Sequence, residues 1–424
     1  CSYFISSPHA ALIGQAKSIQ THSISSTLQS IGGISALLPL LYKFAQKNDS
    51  DACSTLIGFT CDLLEFSPQW FGNEMIQSHG FVTIASILSK NARLLINNDT
   101  LEVLLNLTKT LISTSNNNDA LILKQMLDNI LFNASLWIYV DAKIQMKLYC
   151  YLSSEFLSGA NSSMINSTSG SQGSTNPTIM NNNNNTQVLF NGIIFNEVRR
   201  ISTVLQLLHS LKYYYWLTEE KSYNVKAQDY KLRPNDEELE TIRSYILLFI
   251  KQLIIKGNGI HLDELQAILN YLVTVNQDAN IIDVLQMLQS LMCEHPASLI
   301  PAFDAKHGVQ TIFKLLNSNN EEIRIQALKL LGYFLSRSTP KRKQDVMGPH
   351  NLYMLLCEHL IRFTPLTINT YNALFEILTE TSIESIRVTS SCSSMLKIEN
   401  SMILKVIATL LIEGKQDTSE DRGG

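Results

Sequence analysis

The residues with most obvious chemical potential in this sequence form two Cys-Glu-His triplets, at 293–295 and 357–359. Thiolates and imidazoles are preferred zinc ligands, and a structural site needs four such groups to converge. The Cys and His of one triplet would lie about 200° apart on a helix, so each triplet supplies at most one ligand. Zinc motifs normally contain closely paired cysteines, and the sequence has no C-x-x-C pair. We therefore predict no metal site.

A second candidate is the segment LKYYYWL at 211–217, the densest aromatic cluster of the chain. Aromatic rings beside cations can stack nucleic-acid bases, and Tyr, Trp and Arg also dominate protein interfaces. The alternative is that the rings pack between helices with their polar tips at the edge. We rank core packing first, protein docking second and nucleic acid third. The candidate protein-docking residues are Arg199, Arg200, Lys212, Tyr213, Tyr214, Tyr215 and Trp216.

The clearest basic run is Lys341-Arg342-Lys343, which follows Pro340. Three cations are too few for strong electrostatic binding, so we expect the solvated first turn of a helix. Ser338-Thr339-Pro340, just before this run, is a possible phosphorylation site of a common type. Other signatures of catalysis are lacking: the sequence has no P-loop, dinucleotide-binding glycine motif, zincin motif or nucleophile elbow. We predict that the protein is not an enzyme and uses no cofactor.

Composition narrows the function classes further. The chain has 424 residues, 45% of them hydrophobic and 17% charged, with a net charge of −4. Such a charge gives no general attraction to nucleic acid or anionic lipid. The seven cysteines are scattered and odd in number, which favours free thiols in a reducing compartment. The longest apolar run of the helical segments, 246–250, is far shorter than the roughly 20 residues of a membrane span. The chain starts at Cys1 rather than Met, and we expect a fragment of a longer protein.

Helical periodicity recurs along the chain. Apolar residues spaced by three, four and seven positions follow Gly33, Gly80 and Gly308, and each stripe predicts one face of a helix. The step from Gly33 to Gly80 is 47 residues, within the roughly 40–47 of HEAT and armadillo repeats. We expect each Gly to provide a left-handed or capping backbone between helices. Short helices cannot bury such stripes alone, so the pattern predicts an all-α, armadillo/HEAT-like helical solenoid.

Local signals place further elements. Asn235 and Glu238 approximate a capping box before a helix over 239–255. Pro296 and Pro301 bracket the piece PASLIP, which we interpret as turn-like. The segment 158–187 is rich in Ser and Asn and predicts a disordered insert, because it has too little apolar surface to offset its ordering entropy. The predicted domains are a poorly patterned segment 1–30, armadillo-like helices 31–157 and 188–413 on either side of the insert 158–187, and a disordered tail 414–424.

Longer blocks of the sequence resemble a known family. They include ILFNASLWIYVDAKIQMKLYCYLSSEFL at 130–157, VRRISTVLQLLHSLKYYYWL at 198–217 and DVLQMLQSLMCEHPASLIPAFD at 283–304. These blocks are similar to the neurobeachin / LPS-responsive beige-like anchor protein family of BEACH-domain scaffolds. The resemblance covers about 31–411 and corresponds to the armadillo-like region of such proteins only.

The resemblance implies a cytoplasmic scaffold that works in vesicle and membrane-protein trafficking. It implies peripheral association with Golgi and endosomal membranes through the full-length protein, without a membrane span here. Its implied partners are other proteins, namely trafficking machinery, and protein kinase A through regions outside this chain. We expect no nucleic-acid partner. The sequence thus predicts a non-catalytic interaction scaffold, and the alternative is a structural spacer or self-association element between flanking domains.

Overall fold

The computed structural model describes residues 23–113, 117–156, 195, 198–216, 234–257, 259–347, 352–380 and 401–420. Within these ranges the chain is built of helices and short turns, and they contain no strand. The all-α fold class expected from the sequence is therefore confirmed. The predicted disordered insert at 158–187 lies outside the described residues.

The N-terminal helices cover residues 24–156. They are α1 (Ile24–Ser30), α2 (Ile34–Gln46), α3 (Ser50–Phe66), α4 (Trp70–Gln77), α5 (Gly80–Ser89), α6 (Ala92–Leu95), α7 (Asn98–Ser113), α8 (Asn117–Met126), α9 (Ala134–Trp137) and α10 (Ala142–Tyr151). Two π-helical turns, Leu127–Leu131 and Leu152–Phe156, directly continue α8 and α10.

The C-terminal helices follow from residue 201. They are α11 (Ile201–Trp216), α12 (Asp236–Lys256), α13 (Leu262–Thr274), α14 (Asp278–Glu294), α15 (Pro296–Ala305), α16 (Gly308–Leu316), α17 (Glu321–Arg337), α18 (Pro340–Met347), α19 (Leu352–Leu360), α20 (Ile368–Thr379) and α21 (Ser401–Glu420). A 3₁₀ turn, Ile361–Phe363, extends α19. The capping box of Asn235 and Glu238 is confirmed at the start of α12.

Two local expectations differ from the structure. The piece PASLIP is not turn-like, because α15 starts at Pro296 and continues through Pro301. Proline fits the first helical position, because the backbone N–H of that position makes no hydrogen bond within the helix. Leu299, Ile300 and Phe303 give the helix a buried face. The helix α21 extends into the tail as far as Glu420. Gly414 costs only about 1 kcal/mol inside a helix and does not end it.

The helices stack in two ladders, in which each helix packs on the next member. The first ladder consists of α3, α7, α10, α12, α14, α17 and α20, and the second of α2, α5, α9, α11, α13, α16 and α19. The helix α21 packs on both α19 and α20, and so contacts one member of each ladder. This nearest-neighbour stacking is the architecture of a helical solenoid.

The core lies between the ladders and along their shared edges. Helix α17 is the best example, because α14, α16 and α20 surround it and even its polar residue Gln326 is buried. Its fully buried side chains include Ile323, Leu328, Leu331 and Phe334. Each such side chain contributes about 1.5–3 kcal/mol when it leaves water, so packing rather than helix propensity stabilises the fold.

The glycines that open α5 and α16 do not provide the left-handed backbone expected from the sequence. The residues before them do: His79 and His307 have φ values of 53° and 56°. A Cβ on Gly80 would lie 2.6 Å from the sulfur of Met75, and one on Gly308 would lie 2.5 Å from the ring of Phe303. In these two repeats glycine therefore permits close packing of the preceding helix, and histidine makes the turn.

Gly33 combines both roles at the start of α2. Its φ is 56°, and a Cβ there would overlap the carboxylate of Glu74. The same carboxylate accepts a hydrogen bond from the Ile34 backbone N–H at 3.0 Å. Glu74 belongs to α4, so its negative charge at the positive end of α2 joins two helices of the first repeat.

We expect Gly33→Ala to lower the free energy of unfolding by about 1–3 kcal/mol, because the substitution strains a positive φ and displaces Glu74. The matched control is Gly58→Ala inside α3, where the new Cβ would meet Val103 at an ordinary 3.8 Å. That variant should be neutral or stabilised by up to about 1 kcal/mol. Urea unfolding of both variants measures the difference, and equal effects would contradict this role of Gly33.

Candidate docking surface

Arg199, a predicted docking residue, is buried in the interior just before α11. Its Nε and Nη2 donate to the two carboxylate oxygens of Glu264 at 3.0 and 2.8 Å. Its Nη1 and Nη2 also donate to the carbonyls of Gly257 and Gly259. Glu264 lies in the first turn of α13 and accepts from the His261 backbone N–H at 2.9 Å. Both side chains of the ion pair are only 3% exposed. Arg199 thus fixes the loop between α12 and α13.

The next residue, Arg200, binds a residue earlier in the chain, whereas the partners of Arg199 come later in it. Its Nη2 donates to both carboxylate oxygens of Asp128, at 2.7 and 2.9 Å. Asp128 lies in the π-helical turn after α8, and both side chains are 28% exposed. Consecutive arginines therefore attach the start of α11 to the C-terminal helices through Glu264 and to the N-terminal helices through Asp128. We call these two ion pairs the arginine junction.

The tyrosines of α11 extend the same connection. Tyr214 is fully buried and its hydroxyl donates to Gln145 Oε1 of α10 at 2.6 Å. Its ring packs edge-on against Tyr149 at 6.0 Å. Burial raises the pKa of Tyr149 to about 12 and the pKa of Tyr214 well above its usual value, so both phenols stay neutral donors near pH 7. Tyr215 donates to Asp283 of α14, and the Arg243 guanidinium lies 4.5 Å from its ring.

These contacts correct part of the predicted docking set. Arg199, Tyr214 and Tyr215 are buried and hydrogen-bonded inside the protein, so no partner can reach them. Tyr213 is half-buried against the core, while Lys212 is exposed. The interpretation that tyrosines of this segment pack between helices is confirmed for Tyr213 and Tyr214. The side chain of Trp216 lies outside the described residues, and docking at Lys212 stays a prediction.

A concave surface lies elsewhere in the described part of the chain, between α16 and α19 of the second ladder. It is a cleft of about 430 Å³, with α18 and the end of α15 on one side. Its floor is apolar and consists of Val309, Phe313, Val346, Leu352 and Leu355. Its rim is polar and consists of Asp304, His307, Gln310, Lys314, Asn317, Asp345 and His359. We call this surface the α16–α19 cleft.

Sequence reasoning missed the cleft because the apolar stripe of α16 has two uses. Ile312 and Leu316 of that stripe are buried in the core, at 1% and 0% exposure. Val309 and Phe313 lie at its edge and line the cleft. The sequence offered one signal, the polar residue Lys314 within the amphipathic pattern of α16. This local pattern does not reveal a gap between α16 and a helix that lies more than 30 residues further along the chain.

Polar contacts fix the walls of the α16–α19 cleft. The ring of His359 stacks on Phe313 at 5.6 Å, and its Nδ1 lies 2.7 Å from Asn317 Oδ1. On the opposite wall, Arg342 Nε of α18 donates to Asp304 Oδ2 of α15 at 2.9 Å. The cleft is therefore a preformed apolar pocket with oriented polar groups, an arrangement suited to holding an apolar side chain of a ligand.

The two Cys-Glu-His triplets lie on different ladders, at the end of α14 and within α19. Among the described residues, no group of three His, Cys, Asp or Glu side chains is placed to hold a metal ion. No single helix in the described ranges is long and apolar enough to cross a membrane. The helices α1 and α2 together have the length and composition of a membrane span, but they are bent by 88° relative to each other.

Comparison with known proteins defines the class first. Residues 2–172 and 185–421 match the family described as "Neurobeachin/BDCP, DUF4704 alpha solenoid region". The solenoid architecture inferred from the ladders is thus also the architecture of the matching family, and such a region is a scaffold segment.

The particular relatives are neurobeachin homologues. The sequence is 36% identical over 435 residues to a protein named as a neurobeachin homolog of Caenorhabditis elegans, covering 97% of this chain. It is 35% identical over 441 residues to the one of Caenorhabditis briggsae, covering 99% of this chain. The chain belongs to the neurobeachin family, and it spans 16% of the length of each of these relatives. A crystal structure of an engineered protein aligns over 89% of this chain and 99% of its own at 13% identity, with a TM-score of 0.28.

Arg199→Met should lower the free energy of unfolding by about 3–5 kcal/mol, because it leaves the buried carboxylate of Glu264 without its counter-charge. Adding Glu264→Gln should recover part of the loss, since the uncompensated charge is then removed. Arg200→Met is the matched control and should cost about 1 kcal/mol, because its ion pair with Asp128 is partly exposed. Urea unfolding measures all of these variants. A loss below about 1 kcal/mol for Arg199→Met would contradict the role of the junction.

Proposed function

We propose that this chain is a non-catalytic protein-docking segment of a neurobeachin-type scaffold that works in vesicle and membrane-protein trafficking. It acts in the cytoplasm, and the full-length protein associates peripherally with Golgi and endosomal membranes. Its partners belong to the trafficking machinery, while protein kinase A binds through regions outside this chain. The observation that carries the docking function is the α16–α19 cleft, a preformed recess on a continuous solenoid.

Support for docking comes from the way the cleft is held. Its floor residue Phe313 is 9% exposed and belongs to the same helix as Ile312 and Leu316, which are buried in the core. A rigid backing of this kind keeps the pocket open, so a partner does not have to induce it. Apolar pockets with a polar rim are the usual positions of interface hot spots. A partner with one apolar anchor and flanking polar groups fits this surface.

The rim residues support recognition better than catalysis. Asp304 is paired with Arg342, and His359 is engaged by Asn317 and stacked on Phe313. A general acid or base needs an available group beside a reacting substrate atom, and these contacts instead orient the side chains as fixed walls. This distribution of contacts favours a binding surface.

Self-association is the second candidate, and α21 is the observation that favours it. Leu404, Leu411 and Ile412 are 48%, 47% and 60% exposed along one side of this helix. Exposed apolar residues grouped on one face often mark an interface. Sedimentation velocity separates the candidates, because docking predicts a monomer at all concentrations and self-association predicts a dimer that Leu411→Glu disrupts.

We expect charge exchange at the cleft, Lys314→Glu with Asp345→Lys, to remove a subset of the proteins that the wild-type chain captures from cytosol. The two substitutions reverse charges on opposite walls, so they should weaken a partner by about tenfold or more without changing net charge. The matched control is Asp62→Lys with Lys143→Glu on the first ladder, where both side chains are exposed. Quantitative mass spectrometry of the captured proteins measures the loss. Identical capture by both variants would reject docking in the cleft.

A further inference from the structure

The turn between α17 and α18 carries an accessible hydroxyl group beside a proline. Thr339 is exposed and directly precedes Pro340, the first residue of α18. Its neighbour Ser338 is 8% exposed, and its hydroxyl donates to the Phe334 carbonyl at 2.6 Å. Of the two hydroxyls, only that of Thr339 can therefore be reached from solvent.

The charges around Thr339 are arranged for an anion. The first turn of α18 contains no acidic residue but carries Lys341, Arg342 and Lys343. Cations at the positive end of a helix are unfavourable, whereas a negative group there is stabilised. Thr339 Oγ1 already faces the Arg342 backbone N–H at 3.4 Å, which is a long contact that a phosphate oxygen could shorten. A phosphate on this oxygen would meet both the helix N-terminus and the guanidinium of Arg342.

We propose that Thr339 is a phosphorylation site for a proline-directed serine/threonine kinase, and that its phosphate takes Arg342 from Asp304 at the wall of the α16–α19 cleft. In this step the Thr339 hydroxyl oxygen attacks the γ-phosphorus of a nucleoside triphosphate held by the kinase. The new O–P bond forms as the bridging bond to the β-phosphate breaks. The nucleoside diphosphate leaves, and the hydroxyl proton passes to the base of the kinase.

The other Ser-Pro and Thr-Pro pairs of the described residues lack these features. Ser67 precedes Pro68, but its hydroxyl lies 3.2 Å from Ser25 Oγ and the residues that follow are Gln and Trp. Thr364 precedes Pro365, and its hydroxyl donates to the Ile361 carbonyl at 2.8 Å. Charge patterns around an acceptor determine which kinase uses it, so the three cations after Pro340 distinguish Thr339 from these two.

The structural effect follows from competition for Arg342. A phosphothreonine carries about −1.5 to −2 charge at pH 7, more than the single charge of Asp304. Arg342 lies three residues after Thr339 on the same helical face, so its guanidinium can reach the new phosphate. Asp304 then loses its 2.9 Å contact with Arg342 and stands uncompensated on the cleft rim. The consequence for docking rests on the function proposed above. The phosphorylation of Thr339 and the movement of Arg342 from Asp304 to the phosphate do not depend on that function.

The test starts from the full chain incubated with a proline-directed kinase and isotopically labelled ATP. We expect mass spectrometry to find the label at Thr339, and we expect Thr339→Ala to lose most of the phosphate that the wild type accepts. Ser67→Ala and Thr364→Ala should retain it. Labelling of the wild type at Ser67 or Thr364 in preference to Thr339, or no labelling at Thr339, overturns the proposal.

Hydrogen exchange of the phosphorylated and unphosphorylated chains tests the second step. We expect slower exchange in α18, whose N-terminus gains a phosphate, and faster exchange at the end of α15, which loses Arg342. Arg342→Gln should abolish the response of α15 while Thr339 is still labelled. An unchanged exchange rate at α15 after phosphorylation overturns the transfer of Arg342. Neither the labelling nor the hydrogen-exchange measurement depends on partner binding. The capture experiment therefore tests the docking function separately from the phosphorylation proposal.

Discussion

The ion pair between Arg199 and Glu264 is the interaction on which the rest of the solenoid depends. Two charges with side chains only 3% exposed are costly to remove from water, and this cost is repaid only when every donor and acceptor finds a partner. The carbonyls of Gly257 and Gly259 complete the set, and a Cβ on Gly257 would overlap Arg199 Nη1. Glycine at that position is therefore a condition for the ion pair.

The position of this interaction in the chain gives it its importance. Arg199 and Arg200 stand immediately before α11, the helix that packs on α9 at one side and on α13 at the other. Hydroxyls of α11 then reach α10 through Tyr214 and α14 through Tyr215. The second ladder would be interrupted here if these contacts were lost. Because each repeat is stabilised only by its neighbours, a continuous ladder is required for a fixed cleft further along the solenoid.

Much of the fold could be predicted from the sequence, because it is encoded locally. Apolar residues at helical spacing located α2, α5 and α16, and the side chains of Asn235 and Glu238 marked the start of α12. The same local reasoning gave the wrong role to Gly80 and Gly308, since the packing of Met75 and Phe303 against them is not visible in a one-dimensional pattern.

The candidate site was less predictable for a related reason. Arg199 and its partner Glu264 are 65 positions apart, and Tyr214 and its partner Gln145 are 69 apart. A cluster of aromatic and basic residues has the same sequence pattern whether it lies on the surface or forms buried polar contacts in the core. Only the partners, which are distant in the sequence, distinguish the two cases. The α16–α19 cleft similarly arises from the spacing of two helices rather than from any motif.

Native-state hydrogen exchange in increasing denaturant most directly tests whether the arginine junction makes one solenoid of the two groups of helices. We expect amides of α10 and α13 to open with the same free energy and the same denaturant dependence in the wild-type chain. When Arg199 and Arg200 are both replaced by Met, we expect the opening free energies of the two helices to differ. Independent opening of α10 and α13 in the wild type would contradict this role of the junction.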